Sequence, residues 1–206
     1  MSKMLTLLTM QFSNPKGFLG KLVGWSMRYK NTRRIWAAVD ALNIQPADQV
    51  LEIGCGPGVA VKGIATAKLG FGGHIDAIDH SALMVDMANR NNKRQVKAGI
   101  VSFKKTAIEQ LQSKEAMYNV VFAINVHLFW RDVVAVLVQL RHLLYIEGSV
   151  HLFFQPHWIK DEVKLKQEAL AMYHDMQAAG YADVQFGFIK MSPVDCIHVQ
   201  GVFKKV

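Results

Sequence analysis

The side chains of this 206-residue chain that could do chemistry gather just after apolar runs. The run "VLEIG" contains Glu52, and Gly54, Gly56 and Gly58 follow at every second position. Glycine accepts positive φ and lets backbone approach a ligand with no Cβ in between. Such a strand-to-helix turn can hold phosphates, a dinucleotide or a ligand without phosphate. Spacing narrows the choice. A dinucleotide fingerprint, G-x-G-x-x-G/A, wants a small residue where Val59 stands, and a P-loop wants Gly-Lys-Ser/Thr after its second glycine. Neither is present. Asp79 ends a second apolar run, "HIDAID", at about the 20-residue distance where an acid reads a ribose. Its ionised carboxylate offers two acceptor oxygens to a diol. His127 follows the run "YNVVFAINV", and His157 and Trp158 follow "HLFFQP". An imidazole near its ordinary pKa can take a proton at neutral pH. A histidine that only packs or hydrogen-bonds is the alternative reading. No CxxC or HExxH spacing occurs, so no metal is expected.

These residues need elements to position them. Periodicity predicts a helix over 15–30, with Phe18, Leu22, Trp25 and Tyr29 on one side, then a second helix, "RRIWAAVDAL", capped by Asn31 or Thr32. Pro46 and Asp48 make a turn. Strands follow at "QVLEIG", "HIDAID", "GIVSFKK", "YNVVFAI" and "GSVHLFFQ". The intervening helices are "GVAVKGIATAKLG", "SALMVDMANRNNKR" with Ser81 as cap, "AIEQLQSK" and "DVVAVLVQLRHLL". A helix from about Lys160 ends at Gly180, and "ADVQFGFIK" and "CIHVQGVFKK" pair antiparallel. Alternating strands and helices imply an α/β fold with a mostly parallel sheet, helices on both faces and an antiparallel final strand. Ligands of such sheets sit at the carboxyl ends of the strands. Residues 1–45 read as an N-terminal helical arm and 46–206 as one globular domain.

The pattern "EIGCGPG", with its acid one residue ahead of the glycines, resembles the first motif of class I S-adenosylmethionine-dependent methyltransferases. The likeness is to the small-molecule enzymes of the ubiquinone-biosynthesis (type 11) kind and runs from about residue 30 to the end. It implies a Rossmann-like seven-stranded sheet and a S-adenosylmethionine cofactor, with S-adenosylhomocysteine as product. Glu52, Gly54, Cys55, Gly56 and Gly58 would hold its methionine portion, and Asp79 its ribose. His80, Ser81 and Met84 would lie beside the adenine. Thr106 and Ala107 stand where the family often has an adenine-binding Asp. "AINVHLFWRD" places Asn125 and Val126 on the sulfonium side and His127, as base or contact, on the acceptor side. Trp25, Tyr29, His157 and Trp158 join His127 as acceptor-lining candidates. "LRHLLYIEGSV" resembles the family's L-R-x-L-x-P-G-G turn, with Ile146 for the Pro and Ser149 for the second Gly.

Composition limits the partners. With 51% hydrophobic residues the chain can bury one substantial core. Two distant cysteines, Cys55 and Cys196, make no disulfide framework and suit a reducing compartment. No apolar run reaches the about 18 residues a membrane span needs, and residues 1–12 lack a secretory cleavage pattern. The cytoplasm is the expected location. Residues 1–40 carry seven Lys or Arg against Asp40 alone, most of the net charge of +8. That basic face reads as the solvated side of a packing helix. A peripheral membrane contact or an anionic substrate is the functional alternative. Nucleic acid is disfavoured as acceptor, because neither an Asn-Pro-Pro-Tyr after the fourth strand nor a Pro-Cys pair is present. A small-molecule acceptor is the expectation. Its rivals are an NAD(P)-binding oxidoreductase, a non-catalytic S-adenosylmethionine-binding protein, and a methyltransferase acting on lipid or nucleic acid.

Overall fold

The computed structural model describes residues 32–111 and 115–205. Trp25, Tyr29 and the rest of the helix expected over 15–30 lie outside the described residues. The elements are α1 (Thr32–Ala41), β1 (Gln49–Ile53), α2 (Val59–Ala67), β2 (His74–Asp79), α3 (Ala82–Asn91), α4 (Lys93–Lys97) and β3 (Val101–Lys105). They continue with β4 (Tyr118–Ile124), α5 (Val133–Leu143), β5 (Leu144–Phe154), α6 (Glu162–Ala178), β6 (Ala182–Ile189) and β7 (Cys196–Val202). Short 3-10 turns cover Ile108–Gln110 and His127–Phe129.

The seven strands form one sheet in the order β3-β2-β1-β4-β5-β7-β6. Neighbours among β1 to β5 are parallel, and β7 runs antiparallel between β5 and β6. This is the Rossmann-like sheet expected from the sequence, with the strand order reversing between β1 and β4. Period-two alternation sends Leu51, Val121, Leu152 and Phe154 into a core with α5 and α6. Val50, Val120, Phe122 and Phe153 pack on the other face with α1 and α2. Strands buried on both faces have to be apolar throughout, which is why their sequences read as continuous hydrophobic runs.

Two elements differ from their sequence reading. The helix expected over 81–94 is two helices that meet at Asn92, a buried residue at the N-cap position of α4. The helix expected over 107–114 is a single 3-10 turn at Ile108–Gln110, with residues 112–114 outside the described set. A run of three residues is too short to repay helix nucleation. Gln139 of α5 donates to the carbonyls of Ile108 and Leu111 at 2.9 and 2.6 Å, which holds the turn in place.

Helix α1 is seated by a small residue. A Cβ on Gly63 of α2 would lie 2.9 Å from the Trp36 indole, so glycine there lets α1 lie close on α2. This seating matters because α1 carries Arg34 to the carboxyl edge of the sheet. On the same face, His151 and His198 stack at 5.3 Å between centroids and share a 3.0 Å hydrogen bond. Burial lowers their pKa values to about 3 and about 4, so both are neutral packing groups.

Candidate active site

The glycine turn joins β1 to α2 and is fastened to β2. The amides of Gly54 and Cys55 donate to the Ile78 carbonyl at 2.8 and 3.1 Å. The amide of Gly56 donates to Asp79 Oδ2 at 2.9 Å, and the amide of Ser81 to Asp79 Oδ1 at 2.8 Å. Asp79 therefore has both oxygens oriented by backbone. Burial raises its pKa, and these two amides counter the rise. A carboxylate has about four lone-pair sites, so two remain for a ligand. His80 Nδ1 stands 3.7 Å from Asp79 Oδ1. Ser81 caps α3 through the amide of Met84 at 3.4 Å, and Met84 is buried under that turn.

The three glycines have different neighbours. All have positive φ, +70 for Gly54, +50 for Gly56 and +74 for Gly58. A Cβ on Gly54 would lie 2.5 Å from the Val126 side chain. One on Gly58 would lie 2.6 Å from Asn92 Nδ2 and 3.0 Å from Ala88. Among the described residues, one on Gly56 would meet nothing within 4 Å. Gly56 thus presents bare backbone to open space, beside a carboxylate. Cys55 is buried in the same turn, where burial pushes its thiol pKa well up.

Glu52 lies beneath. It is buried, its Oε2 has no hydrogen-bond partner, and the Val61 amide bonds its carboxylate. Burial first, then the Asp79 charge, pushes its pKa up to about 8. A buried carboxyl with an orphaned oxygen next to bare glycine backbone fits the ammonium of the S-adenosylmethionine amino-acid head. The donor set of Gly56, Asp79 and Glu52 contains no phosphate-binding cation.

Asn91 and Asn92 clamp this turn, and sequence reading missed them. Asn91 Nδ2 donates to the Pro57 carbonyl at 2.9 Å. Asn92 Nδ2 donates to the carbonyls of Gly58 and Ala88 at 3.0 and 2.9 Å. Only the break between α3 and α4 points an amide back 34 residues, so periodicity could not reveal it. Asn92→Ala removes two buried hydrogen bonds and is expected to destabilise the fold by about 2 kcal/mol. Denaturant melts measure this, and an unchanged midpoint would count against the clamp.

On the other side of the point where the strand order reverses, Asn125 follows β4 in a left-handed conformation, φ +57, which Asn tolerates. Its Oδ1 accepts from the Gln155 amide at 2.8 Å, tying the ends of β4 and β5 together. His127 is buried, with its Nδ1 unpaired. Its ring meets Phe154 edge-on at 4.9 Å and Trp130 at 6.4 Å. Phe154 in turn meets Trp158 at 5.8 Å. The structure therefore brings His127 and Trp158 to one aromatic wall through Phe154, which sequence reading did not single out. Burial lowers the His127 pKa to about 4, so the imidazole is neutral at physiological pH and a weak proton acceptor. Thr106 and Ala107 sit past β3; the Thr106 amide donates to the Asp79 carbonyl at 3.0 Å and its hydroxyl to the Ala107 carbonyl at 3.2 Å.

His157 lies beside Arg34, the largest departure from the sequence reading. The basic N-terminal face reads as solvated, but Arg34 is only 6% exposed. Its Nη1 donates to Gln155 Oε1 at 2.9 Å and lies 3.4 Å from His157 Nε2. The signal was available: Arg34, Ala38 and Leu42 recur at four-residue spacing, which puts the arginine on the apolar stripe of α1. Among the described residues no group of His, Cys, Asp and Glu could hold a metal. No helix there is long and apolar enough to cross a membrane.

Known proteins share this fold. A model of the methyltransferase domain matches residues 50–148. YdaC of Bacillus subtilis (strain 168), named as a methyltransferase, is 25% identical over 173 residues, covering 84% of this chain and 92% of that protein. YrhH of the same organism, also named as a methyltransferase, is 30% identical over 129 residues, 62% of this chain and 69% of the relative. Among solved structures, a chain from the complex of the Haloferax volcanii Trm112 methyltransferase activator with a methyltransferase superposes with a TM-score of 0.74. It is 14% identical, with 89% of this chain and 93% of that chain covered. Magnesium protoporphyrin IX methyltransferase from Synechocystis PCC 6803, solved with S-adenosylhomocysteine bound, gives a TM-score of 0.67. The identity is 16%, over 90% of this chain and 95% of that one. Sequence relatives, strand order and glycine turn agree: the chain belongs to the class I S-adenosylmethionine-dependent methyltransferases.

Proposed function

We propose that this enzyme methylates a small-molecule acceptor held against the wall formed by His127, Phe154 and Trp158. The observation that carries the reading is that ring chain, which stands at the ends of β4 and β5, next to the glycine turn and Asp79 on β1 and β2. When bound, S-adenosylmethionine would supply an electrophilic methyl group on a sulfonium, which leaves as a neutral thioether. The chain's own residues supply position. Gly56 offers backbone with no Cβ, Asp79 offers carboxylate oxygens to the ribose, and Glu52 offers an acceptor to the amino head. Asn125 locks the ends of β4 and β5 in register beside Val126. The aromatic wall orients a flat acceptor and excludes water, so that alignment can supply much of the rate. His127, with its low basicity, serves as a wall residue; an acceptor that must lose a proton would need a stronger base than an imidazole of pKa about 4. The two buried free thiols suit a reducing cytoplasm.

The test is methyl-label transfer from S-adenosylmethionine into cell extract separated into protein, nucleic acid, lipid and low-molecular-mass fractions. Calorimetry runs alongside it. Binding of S-adenosylmethionine tighter than about millimolar and label in the low-molecular-mass fraction are expected. Label confined to RNA, protein or lipid would overturn the small-molecule assignment while leaving the cofactor in place.

A further inference from the structure

The environment of Arg34 narrows the acceptor. Buried guanidinium groups are nearly always neutralised by a carboxylate, because desolvating an unpaired charge is costly. Among the described residues Arg34 has no such partner. The ion pairs among the described residues are Lys68–Asp40, His74–Asp76, His80–Asp79, Lys190–Asp195 and Lys204–Asp183. The residues outside the described set, 1–31, 112–114 and 206, contain no Asp or Glu. Its polar neighbours are Gln155 Oε1 and His157 Nε2, both neutral, and its Nε has no partner. Burial and the adjacent guanidinium both lower the His157 pKa. Cys196 is close, but burial keeps its thiol protonated, with a pKa of about 11. One positive charge and one idle N–H donor are thus held in place with nothing to balance them.

Position says which ligand would balance them. Gln155 and His157 follow β5, and Gln155 is itself fixed by Asn125, by Val194 O at 2.7 Å and by Ser192 O at 3.4 Å. The cofactor anchors follow β1 and β2. β5 lies two strands from β1 in the sheet, about 10 Å at the usual strand spacing. Phe154 and Trp158, on either side of Gln155 and His157 in sequence, form the aromatic wall.

We propose that Arg34 is the recognition residue for a carboxylate on the acceptor, so that the substrate class is a flat apolar molecule bearing one carboxylate. A guanidinium matches a carboxylate in shape and in the single charge needed here. The inference rests on the methyltransferase reading of the site and adds the identity of the group that docks beside it. S-adenosylmethionine also carries a carboxylate, so the experiment separates the two sources.

Calorimetry on the full chain measures S-adenosylhomocysteine first, then 2-naphthoate, 2-naphthamide and inorganic phosphate titrated into the S-adenosylhomocysteine complex. In the wild type, 2-naphthoate is expected to bind at least tenfold tighter than the neutral amide and tighter than phosphate. Arg34→Gln is expected to lose naphthoate affinity at least tenfold, with S-adenosylhomocysteine affinity within twofold of wild type. Arg34→Lys is expected to fall between. An S-adenosylhomocysteine affinity lowered tenfold or more in a folded Arg34→Gln protein would assign the guanidinium to the cofactor carboxylate and overturn the proposal. Preference for phosphate, equal binding of acid and amide, or naphthoate binding indifferent to Arg34→Gln would overturn it too. If Arg34→Gln does not fold, the acid–amide contrast in the wild type decides. Failure of S-adenosylhomocysteine to bind the wild type would remove the methyltransferase reading itself; failure of naphthoate alone removes only this inference.

Discussion

Gly56→Leu is expected to weaken S-adenosylmethionine binding by at least about 100-fold, about 2.7 kcal/mol, in a protein that still folds. Every part of that expectation comes from the surroundings of one backbone position. A Cβ there meets no atom of the described residues within 4 Å, so the substitution creates no clash among them. The strain of φ +50 costs about 1–2 kcal/mol for an L-residue, a fall of only a few degrees in Tm for a domain of this size. The added side chain instead projects into the space over the turn, beside Asp79. Gly58→Ala is the control with the opposite signature. Its Cβ would run into Asn92 and Ala88, so it should unfold the clamp and lower Tm by more than the strain alone. Calorimetry and thermal melts on both variants separate the two roles. Normal affinity in Gly56→Leu would show that the cofactor does not pass over Gly56.

The comparison of these glycines marks what a sequence can disclose. The motif "EIGCGPG" points to a ligand-binding turn, because positive φ restricts residue type at each position. It cannot divide labour among the glycines, since that depends on atoms 34 and 72 residues away in Asn92 and Val126. Strands β1, β2, β4 and β5 were legible because burial on both faces demands unbroken apolar runs. The short 3-10 turn after β3 was not, because Gln139 fixes it from α5 across the fold. Arg34 was hidden differently. A count of charges along residues 1–40 treats it like its neighbours, whereas the four-residue stripe it shares with Ala38 and Leu42 places it inward. Charge totals report what a segment carries, and periodicity reports which of those charges are buried. The aromatic wall needed both strand ends at once: His127 and Trp158 are visible as candidates, but Phe154, which joins them, looks like any core residue of β5.

Binding of S-adenosylmethionine at pH 7 is expected to release close to one proton, and Glu52→Gln is expected to abolish that release and weaken binding at least about tenfold. In the ligand-free protein, burial and the nearby Asp79 charge hold the Glu52 pKa at about 8, against 4.5 when exposed. About nine-tenths of the molecules then carry a proton on Glu52 at pH 7. An ammonium placed at the orphaned Oε2 favours the ionised form and drives that proton off. The sign follows directly. Apparent affinity should rise as pH increases from 6 towards 8 and level off above the folded pKa. The stability contribution runs the other way: a raised carboxyl pKa favours the ligand-free fold below about pH 4.5, and that advantage is lost as pH rises through about 8. The Tm increase produced by S-adenosylmethionine should therefore be larger at pH 8 than at pH 6. Calorimetry at pH 7 in phosphate and in Tris, whose ionisation enthalpies differ, counts the proton. Identical enthalpies in the two buffers would mean that Glu52 does not face the ammonium. A tenfold loss is a modest claim for a charge-assisted hydrogen bond to a buried group, about 1.4 kcal/mol where such bonds contribute about 1.5–3. It is the proton count, more than the affinity, that ties the acid ahead of the glycines to the amino head of the cofactor.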